Sequence, residues 1–160
     1  MAAARVERVH ATAIAAGGRA ALILGPSGAG KSDLALRCLT LAPSSVIPQI
    51  ALLLADDQVV LERQHDRLMA SAPAELLNLI EVRGVGIMTV PKVSISGPTP
   101  VALAVELTAP GATERYPDPW PTLSILGLKV PVLRLWAFES AAAQKVLAAL
   151  SGAALPPVVP

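Results

Sequence analysis

Cysteine occurs once in the 160 residues, at Cys38, so no intramolecular disulfide can form and a reducing cytosol is the simplest compartment. Mid-helix among apolar positions, that thiol reads as buried and inert. Aromatic side chains make up only 2% against 53% hydrophobic residues, which leaves Ala, Val, Leu and Ile to build the core. Net charge is only +1, with no arginine-rich run, which argues against a nucleic-acid partner. No stretch approaches the ~18 uninterrupted apolar residues that cross a bilayer, so no membrane association is expected. The alanine-rich start, residues 1–18, is broken by Arg5, Glu7, Arg8 and His10 and lacks the long apolar centre of a secretory signal. It reads as structural.

What is present is a phosphate-binding loop. Gly25, Pro26, Ser27, Gly28, Ala29, Gly30, Lys31 and Ser32 satisfy G-x-x-x-x-G-K-[ST] in full. Glycines let the backbone turn its N–H groups toward phosphate oxygens, the lysine reaches the β- and γ-phosphates, and the serine hydroxyl can ligate Mg²⁺. The setting is the required one: residues 20–24 read as a buried strand and 33–41 as a helix. A nucleoside triphosphate is the expected ligand.

The length suits one domain with a real core. Residues 5–15 alternate as a strand, and Gly17-Gly18 turns it into the strand that feeds the loop. A loop over 43–48 leads to an apolar strand at 50–55, and 59–62 with 67–70 form a hairpin around Gln64-His65-Asp66. Pro73 starts a short helix over 74–79, residues 101–107 and 123–135 supply strands, and a last helix spans 141–150 between Ser140 as N-cap and Gly152 as stop. The proline-rich tail, 153–160, is expected to fray. The pattern predicts a single α/β domain with a mixed sheet.

A phosphate loop needs a carboxylate to help hold Mg²⁺, and Asp56-Asp57 follows an apolar strand, where open α/β sheets place their ligands. One aspartate can hold the metal or its water shell while the other accepts a proton from an attacking hydroxyl. Residues 80–87 are also unusual: Glu81 and Arg83 share one side by alternation, then two glycines bring bare backbone close to something. GTPases are disfavoured, since Asn78 is the only asparagine, no lysine follows it, and no D-x-x-G occurs. A second glycine-rich signature of transport ATPases is also absent.

Together these segments resemble the catalytic domain of HPr kinase/phosphorylase, the bacterial enzyme that modifies a serine of the phosphocarrier protein HPr. The resemblance runs over about residues 9–115 and rests on Val9-His10-Ala11, the loop followed by Asp33, Leu54-Ala55-Asp56-Asp57, and Glu81-Val82-Arg83-Gly84-Val85-Gly86-Ile87. It implies an α/β P-loop kinase domain whose mixed central sheet is flanked by helices, using ATP and Mg²⁺. Lys31 and the loop backbone would bind the phosphates, and Ser32 and Glu81 would serve Mg²⁺ with Asp56 on the metal side. Asp57 would be the proton acceptor in phosphorylation and the donor in the reverse reaction. His10, a strand-surface histidine on spacing alone, would lie near the phosphates, and Arg115 falls where the family places a catalytic arginine. HPr or an HPr-like carrier as substrate, a cytoplasmic location and a homo-oligomer (a hexamer) are implied in the same way.

Three departures temper the match. The chain looks like a short form, without the separate N-terminal domain of long members. Tyr116-Pro117-Asp118-Pro119 replaces the glycine that follows the family's Arg-Leu pair. The later segment tied to dephosphorylation is not recognisable in Pro131-Val132-Leu133-Arg134-Leu135-Trp136, so phosphorolysis is expected to be weak. A kinase of a small hydroxylated metabolite and a non-catalytic ATP sensor that regulates a partner stay open as other readings.

Overall fold

The computed structural model describes residues 5–152 and 155–160, which form eleven strands and two α-helices. Strand β1 (Arg5–His10) and strand β2 (Thr12–Ala16) divide the stretch expected as one strand. The reason is burial. Thr12–Ala16 is apolar or small throughout and sits buried on both faces, whereas Arg5–His10 carries Arg5, Glu7, Arg8 and His10, polar side chains that need solvent. At the break, Ala11 donates its N–H to the Asp57 carbonyl at 3.2 Å.

Beyond β2, Gly17 and Gly18 both take positive φ (59° and 74°), the requirement of a tight two-residue hairpin turn, and β3 (Arg19–Leu24) returns antiparallel. The phosphate loop follows, then α1 (Lys31–Thr40). Strand β4 (Leu52–Ala55) pairs with the other side of β2. Strands β5 (Gln58–Gln64) and β6 (Arg67–Ser71) form the expected hairpin, with His65 at positive φ in its turn.

The short helix expected over 74–79 is only a 3₁₀ turn, Ala74–Leu76. Asn78 adopts φ 64°, which ends any helix, and Leu79 already opens β7 (Leu79–Val82), the partner of β8 (Gly86–Thr89). Strand β9 (Thr99–Leu107) runs parallel to β3; β10 (Thr122–Ile125) turns back into β11 (Leu128–Leu135), itself parallel to β9. The chain continues to α2 (Ala142–Ser151). Its N-cap is Ala141, not Ser140, with no side-chain cap; the Ala142 N–H is instead satisfied by the Glu139 carbonyl at 3.1 Å. Gly152 follows as the stop. The tail does not fray where it is described: Val159 exchanges two backbone hydrogen bonds with Lys129 on β11 (2.6 and 3.2 Å), while residues 153–154 lie outside the description.

Nine strands join in one sheet, ordered β1-β5-β6-β9-β3-β2-β4, with β11 and then β10 branching from β9. Two cores lie on opposite faces of β2, β3 and β9. Ile14, Ala21, Ile23, Leu103 and Val105 pack toward Leu34, Cys38, Val146 and Leu150 of the helices. Ala13, Ala20, Leu22 and Ala104 pack toward Leu61, Leu68 and Ala70 of the β5–β6 hairpin. Alternation along β3 sends Ala21 and Ile23 one way, Ala20 and Leu22 the other. Helices therefore cover one face, and folded-over strands cover the other.

Candidate functional site

Strand β3 delivers the chain into the phosphate loop, and α1 begins on its lysine. Gly28 and Gly30 turn at φ 80° and 97°, conformations that a side chain resists. A Cβ on Gly30 would also lie 2.8 Å from Phe138 Cζ and 3.0 Å from Ala137 Cβ, so only glycine fits there. Lys31 is buried and folds back on its own loop, donating to the Gly25 carbonyl at 2.7 Å and the Pro26 carbonyl at 3.0 Å. The Ala29 N–H closes the loop on the Pro26 carbonyl at 3.1 Å. Burial pushes the Lys31 ammonium below its ordinary pKa, and the Asp56 and Asp57 carboxylates partly offset that.

Asp56 and Asp57 connect β4 to β5 in a two-residue turn. The Gln58 N–H reaches back to the Asp56 carbonyl at 2.8 Å with Asp57 between them at φ 65°, a strained conformation that aspartate tolerates better than most. The turn separates the two side chains. Asp56 Oδ1 accepts from Thr12 Oγ1 at 2.8 Å and Ser32 Oγ at 2.7 Å, and its Oδ2 accepts from the Glu81 N–H at 2.9 Å. Asp57 faces the open cavity with Oδ1 3.3 Å from His10 Nδ1, each side chain about half exposed.

One cavity of about 250 Å³ is lined by Ser27, Gly28, Gly30, Lys31 and Ser32 on the loop side and by His10, Asp57 and Glu81 opposite. Asp56 sits behind this wall as the buried tie between the loop and the β7–β8 hairpin. Of the expected site residues, Gly25, Pro26 and Ala29 belong to the loop without lining the cavity, and Arg115 lies apart from both. It lies exposed in the 108–121 loop and does not line the cavity. In sequence Thr12 is two residues from His10 on an alternating strand, and nothing there marks it as a partner of Asp56. Leu36, Val82 and Phe138 also line the cavity, and sequence patterns give apolar residues no such signal.

A model of the HPr Serine kinase C-terminal domain matches residues 2–150. The chain belongs to this family. Its sequence is 31% identical over 135 residues to an HPr kinase/phosphorylase of Mycoplasma mycoides subsp. mycoides, covering 79% of this chain and 41% of that protein. An HPr kinase/phosphorylase of Lactobacillus delbrueckii subsp. bulgaricus is 34% identical over 105 residues, 62% of this chain and 31% of its own length. The chain thus spans less than half of these curated relatives. The solved structure of the Hpr(Ser) kinase/phosphatase from Coxiella burnetii shares the fold, with a TM-score of 0.72 at 24% identity over 88% of this chain and 91% of that one. The expected α/β architecture of the HPr kinase C-terminal domain is therefore present, with the difference that both described helices occupy one face.

Could the site accept a cation? Among the described residues no cluster of three or more His, Cys, Asp or Glu side chains could hold a metal alone. The donor set instead suits a cation carried by phosphates. Asp56 orients the Ser32 hydroxyl while leaving it lone pairs, and the exposed Glu81 side chain lines the same cavity.

Proposed function

We propose that this HPr kinase C-terminal domain is an ATP- and Mg²⁺-dependent protein-serine kinase whose acceptor is a serine hydroxyl of HPr or an HPr-like carrier. The observation that carries the reading is the division of labour at Asp56-Asp57. One carboxylate is buried and takes three hydrogen bonds; the other is open to the cavity opposite the phosphate loop.

Bound here, Mg²⁺–ATP supplies the phosphoryl group and the cation neutralises phosphate charge, with Ser32, Asp56 and Glu81 on the metal side. Lys31 is the loop's cation for the phosphates, on a flexible stem that can leave the Gly25 and Pro26 carbonyls. Asp57 takes the serine proton as the new O–P bond forms and the bond from γ-phosphorus to the ADP oxygen breaks. His10 holds the Asp57 carboxylate toward the cavity. Asp56 is the poorer base, because Thr12, Ser32 and the Glu81 N–H already occupy its oxygens. The same reading carries a cytoplasmic location and a homo-oligomeric, hexameric assembly, and it leaves phosphorolysis weak. Among the described residues no helix is long and apolar enough to cross a membrane.

Incubation with labelled ATP, Mg²⁺ and a purified HPr-type carrier tests the proposal. The label should map to a carrier serine. Transfer to a small hydroxylated metabolite without any protein acceptor, or ATP binding without transfer to any acceptor, would overturn it.

A further inference from the structure

Phe138 is the only phenylalanine of the chain, and it is 52% exposed. Its surroundings are fixed. It sits in the turn between β11 and α2, where the Glu139 N–H bonds to the Trp136 carbonyl at 3.2 Å, beside the fully buried Ala137. Arg37 of α1, paired with Asp33 at 2.9 Å, also donates to the Ala137 carbonyl and ties this turn to the phosphate-loop helix. Trp136 meets the Phe138 ring edge to face, with centroids 6.0 Å apart and planes 74° apart, which sets the ring plane. The ring then reaches the phosphate loop itself, so close to Gly30 that a Cβ there would lie 2.8 Å from Cζ.

We infer that Phe138 is the nucleobase platform of the site, the surface on which the base of a bound nucleoside triphosphate stacks. This rests on the phosphate-loop reading above and extends it. A phenyl ring has no donor for a phosphate and no proton for the transfer, so what it can offer a ligand is a π-face and dispersion. In a nucleoside triphosphate only the base matches that chemistry. Leu36, one helical turn beyond Ser32, and Val82 are the other apolar side chains of the cavity, and the His10 imidazole that also lines it is paired with Asp57 at 3.3 Å, so Phe138 supplies the apolar aromatic face. Burial in the core does not account for the ring, since half of it faces solvent while its neighbours Ala137 and Leu135 are fully buried.

Paired titrations of ATP and inorganic tripolyphosphate, each with Mg²⁺, separate the base from the phosphates. Phe138→Ala should weaken ATP roughly 5- to 150-fold, the range of a lost base–aromatic stack, and leave tripolyphosphate within about twofold. Phe138→Tyr, which keeps the ring, should restore ATP affinity. Trp136 adds an optical readout: in a Trp120→Phe background its emission should change with ATP and not with tripolyphosphate. Equal losses for both ligands would make Phe138 a support of the loop and overturn the inference. Unchanged ATP affinity in a folded Phe138→Ala would overturn it as well, including the case where the ring docks the carrier. Wild-type protein that binds tripolyphosphate confines either failure to this inference. If it binds neither ligand, the phosphate-loop reading falls first and takes this one with it.

Discussion

Asp56 and Asp57 are adjacent in sequence yet opposite in environment, 3% exposed for one residue and 57% for the side chain of the other. An amide in place of each carboxylate should therefore fail differently. Asp57→Asn should bind ATP as before and lose phosphoryl transfer by about 10²- to 10⁴-fold, the range for removing a general base. Asp56→Asn places an amide among three donors, Thr12, Ser32 and the Glu81 N–H, and only one of its two ends can accept. It should lose about 1–3 kcal/mol of stability and raise the Mg²⁺ requirement. Initial rates against Mg²⁺, with denaturant melts, distinguish the two; transfer lost in Asp56→Asn at saturating Mg²⁺ but kept in Asp57→Asn reverses the assignment. Lys31 yields a pH argument. Its folded pKa lies below the ordinary 10.5, so the folded state holds fewer protons between the two values and stability rises with pH across that window. Below it, the buried charge opposes folding. Lys31→Met should thus melt no lower than wild type at pH 7 while losing ATP binding and transfer, and any stability advantage should shrink toward alkaline pH. The lysine and the serine were legible because a motif of fixed spacing names them, and the carboxylate pair because it follows an apolar strand. Thr12 was not: a threonine in an alanine strand looks the same whether its hydroxyl meets water or a buried aspartate.

The phosphate loop and its helix were legible as elements because one contiguous segment contains strand, turn and helix. Glycine substitutions there should separate two physical effects. Gly28→Ala places a side chain at φ 80° in open space, with nothing within 4 Å of the new Cβ, and should cost about 1–2 kcal/mol. Gly30→Ala has the same backbone problem and in addition overlaps Phe138 and Ala137, so urea melts should show the larger loss for Gly30. Equal losses would mean that the Phe138 turn yields freely. On the far side of α1, Cys38 is fully buried and its thiol is pushed up to about 12 by burial. It should resist a water-soluble disulfide reagent at pH 8 in the native protein and react once unfolded. The elements misjudged from sequence share a cause. Residues 5–15 keep one period across Ala11, yet the two halves pair in different layers; residues 74–79 have helical composition, yet Leu79 to Val82 is claimed by β8. In each case a distant partner outvotes the local pattern.

At the scale of the whole molecule, the strand order was the least legible feature, because β9 joins three neighbours, β3, β6 and β11, drawn from separate parts of the chain. That arrangement decides what the end of β11 can contribute to the reverse reaction. Phosphorolysis needs inorganic phosphate held in line with a phosphoserine, which calls for positioning cations beyond Lys31. Arg134, the basic side chain of residues 131–136, runs beside β9 and lies 3.7 Å from both Glu106 and Glu114. Two carboxylates already neutralise it. Arg115 is exposed in the neighbouring loop and does not line the cavity, and the turn that follows β11 brings Phe138 to the loop instead of a charge; the arginine that does line the cavity is Arg83, exposed in the turn of the β7–β8 hairpin. Asp57 can run either direction by microscopic reversibility, so the reverse reaction is limited by the binding of the second anion, for which the end of β11 adds no cation to the exposed Arg83. Forward transfer should therefore exceed phosphorolysis by at least about tenfold at millimolar phosphate, a gap of ~1.4 kcal/mol in barrier. Pyrophosphate released from phosphorylated carrier, set against ATP-dependent labelling of the same carrier, measures it. Release as fast as labelling would mean that Arg83 on the cavity wall, or a cation away from it such as Arg115, holds the second anion in the working complex.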